Sequence, residues 1–308
     1  MKNFAITGVA GYIAPRHLKA INDTGNKLVA AVDPHDSVGI LDQYFPDTAF
    51  FTEIERFDRH LEMLRRNSPN NKVDSLTICS PNHLHDAHIR LALRLDADAI
   101  CEKPLVLNPW NLDNLEELES ETGRRVYTIL QIRVHPSIVK LKDSISNELK
   151  NNPDKRYSVT LNYVTSRGLW YDYSWKGDIQ KSGGIATNIG IHFFDLLIHL
   201  FGNVRSSKVF ISEKNKMSGF IEFRNADVNW FLSIDKKDIP EGVKTNGKTS
   251  YRSIKVDGEE IEFTAGFTDL HTEVYKRILE GKGFGISDAR SSIELVHSIR
   301  NAKVVAKK

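Results

Sequence analysis

The sequence predicts an α/β protein of two parts: a doubly wound parallel sheet, then an α+β domain on a large, open, mostly antiparallel sheet. Three observations predict this. Over the first third, short apolar runs alternate with helical patterns, the order that right-handed βαβ crossovers produce. After about residue 130 the apolar period changes to two, as in strands with one face buried and one more polar. The 308 residues also exceed what one domain usually holds, and the boundary is expected between 1–130 and 131–308.

"FAITG" reads as the first buried strand and residues 13–23 as the first helix. "LVAAVD" is the second strand, "SLTICS" the third, "ADAICEKP" the fourth and "RVYTILQ" the fifth. "HLHDAHIRLALRLD" lacks a clean apolar stripe, but its length and its leucine and alanine content favour helix. "NPWNLDNLEELESETG" predicts a helix capped by Asn108, with Pro109 in its first turn and Gly123 at its close. In the second part "YSVTLNYV" alternates, and "KVFIS", "SGFIEF" and "VNWFLSI" are strand-like. "SIKVDGEEIEF" folds back around Asp257-Gly258, and "DARSSIELVHSIRNAKVV" is an amphipathic helix that is expected to pack on the first domain.

Composition narrows the function. The 42 basic and 40 acidic residues are evenly spread and leave a formal charge of +2, so a nucleic-acid partner is not expected. The basic "KVVAKK" tail reads as a solvated terminus. Cys79 and Cys101 sit inside apolar runs without the spacing of a metal or redox pair, which suits reduced thiols in the cytoplasm and predicts no metal. No signal peptide is expected at the start. No apolar run approaches the ~20 residues of a membrane helix.

"ITGVAGYIAPRH" joins the first strand to the first helix. Gly11 and Ala14 have the spacing of the last two small residues of the dinucleotide fingerprint, while Gly8 stands one place early. With Tyr12 and Ile13, this turn offers backbone N–H groups at a helix N-terminus, where a pyrophosphate is favoured. Asp33 ends the second strand 22 residues after Gly11, close to the ~20 of a ribose-binding acid. Its charge accepts from a 2′-hydroxyl and repels a 2′-phosphate, so NAD is expected and the fold is of Rossmann type. An Asp that merely caps the turn before Pro34 is the alternative.

Ligands of open parallel sheets sit beyond the carboxyl ends of the strands. Asp33, "SPNHLH" with Ser80, Asn82 and His85, "EKP" with Glu102 and Lys103, and Gln131 all fall at such ends. The charges of "EKP" close a buried strand, which is costly unless function or an internal Glu–Lys pair explains them.

"EKP" followed by "SGGIATNIGIHFFD" in the second part resembles the glucose–fructose oxidoreductase / inositol dehydrogenase family. "GYIAPRHLKAI", "FFTEIERFDRH", "SPNHLHDAHIR", "CEKPLVLNPWNLD" and "YTILQIRVHPSI" make the sequence similar to a subgroup of it, the UDP-N-acetylglucosaminuronate 3-dehydrogenases of bacterial surface-polysaccharide (lipopolysaccharide O-antigen) biosynthesis. The resemblance implies NAD-dependent oxidation of a sugar hydroxyl, a homo-tetramer, and in some members reoxidation of NADH by 2-oxoglutarate.

It also implies roles. His192 falls at the family's catalytic histidine, and a histidine suits a proton acceptor working near neutrality. A core histidine is the alternative. Lys103 is expected to reach the same hydroxyl and stabilise its developing charge. Asn188 stands where many members have aspartate; it can bond a sugar hydroxyl but cannot take its proton. A UDP-sugar acid carries about three negative charges, so Arg133, Arg167 and Lys176 are expected to face it, with Trp170 and Tyr171 stacking on uracil or sugar. The aromatic loop could equally seal a subunit interface. A free sugar or inositol as substrate, and a dinucleotide-binding regulator without chemistry, are the competing functions.

Overall fold

The computed structural model describes residues 1–244, 249–261 and 269–307. The chain divides into two compact units, one of Met1–Gln131 with Thr268–Arg290, the other of Ile132–Phe267 with Ser291–Lys308. The first unit therefore recruits a helix from late in the sequence.

Six strands build the first unit: β1 (Asn3–Thr7), β2 (Lys27–Val32), β3 (Ala49–Phe51), β4 (Ser75–Ile78), β5 (Asp98–Cys101) and β6 (Val126–Thr128). All pairs are parallel, in the order β3-β2-β1-β4-β5-β6. Consecutive residues are buried along β1 and β4, so both faces of the sheet are covered, as a parallel sheet requires. Its helices include α1 (Ala14–Asp23), α2 (Ile54–Asn67), α3 (His85–Arg94) and α4 (Trp110–Thr122). β3 and α2 lie outside the five-strand reading. α4 opens at Trp110 with Pro109 in the capping position, one residue after the expected Asn108. It closes on Gly123 at φ 67°, a left-handed position that glycine adopts freely.

The second unit starts with α5 (Pro136–Asn151) and holds β7 (Tyr157–Thr165), β8 (Val204–Ser212), β9 (Lys216–Phe223), β10 (Ala226–Ser233), β11 (Ser250–Val256) and β12 (Glu259–Glu260). The order is β12-β11-β7-β10-β9-β8, with only β7–β10 parallel. The turn between β11 and β12 has Asp257 at φ 50° and Gly258 at φ 88°, as a two-residue hairpin loop demands. Glu262 and Phe263, expected to extend this hairpin, lie outside the described residues. Every second residue of β9 is buried, and α6 (Ile191–Phe201) covers that face, with Phe194 edge-on to Trp230 at 5.3 Å.

The helical stretch Ile179–Phe201 is 23 residues long and apolar enough to cross a membrane by length and composition, against the expectation that no run comes near. Its most apolar window is 72% buried, which its place on the sheet explains. α7 (Leu270–Leu279) belongs to the first unit, and α8 (Ile286–Asn301) precedes a tail in which Val304 bridges to Val209 beside β8.

Candidate functional site

The first unit gathers the expected nucleotide-binding residues at the carboxyl edge of its sheet. Gly8 follows β1 at φ +76°, and a Cβ there would lie 2.6 Å from the Cys79 carbonyl carbon and 2.7 Å from the Ser80 nitrogen. Only glycine fits, so β1 and β4 leave through adjacent turns. Gly11 N–H donates to the Gly8 carbonyl at 3.0 Å, Tyr12 stands 90% exposed, and Ile13 caps α1. Asp33 braces this turn. Its Oδ2 accepts from Ala10 N–H at 3.0 Å and its Oδ1 from His35 N–H at 2.9 Å. A carboxylate so oriented keeps lone pairs for ribose hydroxyls.

Two buried acceptors at the same edge have no hydrogen-bond partner: Oε1 of Gln131 and Oγ1 of Thr7. Orphaned buried polar atoms are costly, and at this edge they suit the donors of a bound polar group. The glycine turn, the braced Asp33 and these atoms fit NAD.

His85 takes a different part from the one expected. It is 1% exposed, with Nδ1 2.7 Å from the Pro104 carbonyl and Nε2 2.9 Å from that of Ser80. The ring ties the exits of β4 and β5 together. Ser80 also bonds His88 Nδ1 through its hydroxyl at 2.9 Å, and Asn82 is buried beside them.

Glu102 is buried, and both its oxygens are engaged within the protein. Oε1 lies 3.0 Å from His17 Nε2 and 3.2 Å from His271 Nε2, while Oε2 accepts the Lys103 N–H at 3.2 Å. Burial alone raises a carboxyl pKa, but the hydrogen bonds from His17 and His271 outweigh it and hold Glu102 well below the usual carboxylate range. A carboxylate only accepts, so both Nε2 atoms donate. Burial lowers the pKa of His17 and keeps its ring neutral, so Nδ1 accepts from the Tyr275 hydroxyl at 2.9 Å. Tyr275 in turn lies 2.9 Å from Thr77 Oγ1. Lys103, half-buried, directly follows this anchored carboxylate, and a cis bond joins it to Pro104.

His17, Glu102 and His271 are, among the described residues, the one cluster whose ligand atoms are close enough to hold a metal. Contacts of 3.0 and 3.2 Å between the two nitrogens and a single oxygen are those of hydrogen bonds. His17, His271 and Tyr275 were missed from sequence. The available signals were His17 on the apolar face of α1 with Ala14, Leu18 and Ile21, and His271 and Tyr275 one turn apart on a helix.

The second unit holds the other expected residues. His192 is half-buried in the first turn of α6, directly after the π-helical turn Ala186–Gly190. Asn188 Nδ2 donates to the Tyr171 hydroxyl at 3.0 Å. Burial raises the pKa of Tyr171 and keeps it a neutral phenol. Arg167 and Lys176 lie 6.0 and 5.8 Å from the Trp170 ring, and Lys176 is 4.4 Å from Trp175, so the loop forms one cation–aromatic cluster with Trp170 52% exposed. Beside it a cavity of about 250 Å³ is lined by Tyr171, Lys176, Ala186, Lys214 and Arg300. Lys214 and Arg300 were not foreseen. Arg133 is buried, and its Nε and Nη2 donate to Asp195 at 2.9 and 2.7 Å. That bidentate pair commits one edge of the guanidinium to α6.

Residues 2–130 match the family described as "Oxidoreductase family, NAD-binding Rossmann fold", and residues 155–237 the "Oxidoreductase family, C-terminal alpha/beta domain". Among solved structures, the WlbA (WbpB) dehydrogenase of Thermus thermophilus in complex with NAD and alpha-ketoglutarate is 52% identical, over 100% of this chain and 97% of its own, with a TM-score of 0.95. Its complex with NAD and UDP-GlcNAcA aligns over the same shares at 51% identity and TM-score 0.95. Among curated proteins, putative oxidoreductase YteT of Bacillus subtilis is 26% identical over 203 residues, 64% of this chain and 46% of its own length. The myo-inositol 2-dehydrogenase of Thermotoga maritima is 27% identical over 133 residues, 42% and 36% respectively. The chain thus aligns with less than half the length of these two curated relatives.

Proposed function

The chain belongs to this NAD-binding oxidoreductase family, and from that premise we propose that it oxidises the C3 hydroxyl of a UDP-linked N-acetylglucosaminuronate to the ketone. One observation carries the choice of substrate: full-length similarity, at 51% identity, to a dehydrogenase crystallised with NAD and UDP-GlcNAcA. NAD, when bound, supplies the hydride acceptor. The residues of this chain bind and orient the sugar and manage its proton.

In this reading His192 accepts the hydroxyl proton, as a ring whose ordinary pKa lies near neutrality. Lys103 donates to the hydroxyl oxygen and stabilises charge that grows there as the proton leaves. Asn188, held by Tyr171, bonds a neighbouring sugar hydroxyl without adding negative charge near an anionic substrate. Arg167 and Lys176 meet the carboxylate and the diphosphate, and the exposed face of Trp170 meets the uracil or sugar ring. Asp33 and the Gly8–Ile13 turn hold the dinucleotide.

The product is a 3-keto sugar suited to an aminotransferase in surface-polysaccharide assembly. 2-Oxoglutarate is proposed as the oxidant that returns the cofactor to NAD; the Thermus relative was solved with that compound. The protein is proposed to work in the cytoplasm as a homo-tetramer. The sheet face with Thr160, Asn162, Phe210, Asn229 and Phe231 borders a cavity of about 600 Å³ and offers a mixed polar and aromatic surface for a second copy.

A single-turnover assay tests the proposal: NADH is expected to form from bound NAD with UDP-N-acetylglucosaminuronate and not with free myo-inositol. NADH from the polyol alone would replace the substrate class.

A further inference from the structure

The end of β5 brings a charge pair to the sheet edge, yet its carboxylate is turned inward. Oε1 of Glu102 receives two N–H bonds, from His17 on α1 and His271 on α7. His17 is in turn fixed by Tyr275, and Tyr275 by Thr77 on β4. All five residues are buried. The chain of bonds has one polarity: Thr77 to Tyr275, Tyr275 to His17, His17 to Glu102, with His271 as a second donor. Its far end is Oε2 of Glu102, which takes the N–H of Lys103.

We propose that His17 and His271 are positioning residues for Lys103: by fixing the Glu102 carboxylate they fix the backbone from which the Lys103 amine projects. Neither imidazole reaches the reacting atoms in this account. Three observations set the arrangement apart from ordinary core polarity. Two elements from opposite ends of the sequence, α1 and α7, each contribute one histidine to the same oxygen. Both histidines are at most 3% exposed, so their orientation is set by packing and not by solvent. Beyond the carboxylate, His85 holds the Pro104 carbonyl from α3, so the Lys103 backbone is fixed on both sides.

The inference rests on the catalytic reading of Lys103, and the test separates the two. His17→Phe and His271→Phe remove one donor each and keep a ring; His17→Gln restores an amide N–H toward Glu102. Each variant is assayed for kcat and KM with the UDP-sugar acid, for NAD affinity, and for its thermal midpoint. A misplaced reacting group costs on the order of 10²-fold, so kcat in the Phe variants is expected to fall about 30- to 100-fold while KM changes less than about threefold. His17→Gln is expected to recover kcat to within about fivefold of the native value. In a Lys103→Met background, His17→Phe is expected to add almost nothing, because coupled residues are not additive.

Native kcat in folded His17→Phe and His271→Phe, beside an inactive Lys103→Met, overturns the positioning role alone. Equal losses in the Phe and Gln variants, or full additivity with Lys103→Met, also overturn it. Native kcat in Lys103→Met overturns the reading beneath it. Should His17→Phe fail to fold, the His271→Phe series carries the same comparisons.

Discussion

Replacing Asp195 by alanine tests what Arg133 is for. Arg133 donates Nε and Nη2 to the two oxygens of Asp195 at 2.9 and 2.7 Å, with side-chain exposures of 8% and 4%. Such a pair is short, bidentate and desolvated. Removing only the carboxylate takes a bidentate partner from a buried guanidinium, and breaking a buried pair in this way costs about 3–5 kcal/mol, whereas replacing both partners by apolar residues of similar size is often nearly neutral. Asp195→Ala is therefore expected to destabilise the second unit by about 3 kcal/mol or more, and Arg133→Met with Asp195→Leu to recover most of that loss. Urea titration followed by tryptophan fluorescence reads this unit well, because Trp170, Trp175 and Trp230 lie in it and only Trp110 in the other. A cost below about 1 kcal/mol would place the pair with ordinary surface ion pairs. An Arg133→Met variant of native stability that no longer binds UDP-sugar would return the guanidinium to the ligand and refute the anchoring argument.

Further outcomes follow from other parts of the chain. Gly8→Ala forces a Cβ to within 2.6 Å of the Cys79 carbonyl carbon at φ +76°. The dihedral alone costs about 1–2 kcal/mol, and calorimetric titration is expected to show NAD binding at least about tenfold weaker; native affinity would exclude the glycine turn from the site. Burial, helped by the neighbouring His85 and His83, depresses the pKa of His88 from 6.5 to about 4. Between those two values the unfolded chain carries the extra proton, so stability declines as pH falls from about 6.5 to about 4, by on the order of 3 kcal/mol from this residue. His88→Asn should flatten the dependence in denaturation curves taken across that window, and an unchanged slope would contradict it. Burial also pushes the Cys79 and Cys101 thiols well up, so neither is expected to react with iodoacetamide before the protein unfolds, as mass spectrometry can check.

The parallel sheet was legible because its long strands are uninterrupted apolar runs. β3 was not: three half-buried residues, Ala49–Phe51, are too few to show a period. α7 was missed although Leu270, Val274 and Ile278 recur at helical spacing, because nothing in its sequence indicates that it joins a unit whose strands end about 140 residues earlier. That miss concealed half of the Glu102 cluster. Glu102 was recognised as out of place at a buried strand end, but its histidine partners are tertiary neighbours 85 and 169 positions away. The same holds for Arg133, whose partner is 62 positions on. Gly8, Gly11 and Asp33 were readable because a dinucleotide turn is local: three residues on one strand–turn–helix and the end of the next strand. The cation–aromatic cluster at 167–176 was readable for the same reason, as its members are neighbours in sequence.

The proposed roles of Lys103 and His192 are read out by mixing NAD-loaded protein with UDP-N-acetylglucosaminuronate in a stopped-flow instrument and following NADH in one turnover, for the native chain, Lys103→Met and His192→Ala. A rapid NADH phase is expected in the native protein, and its loss by at least about 10²-fold in both variants, with NAD still bound. A native-rate phase in either variant, or none in the native protein with that substrate, would contradict those roles.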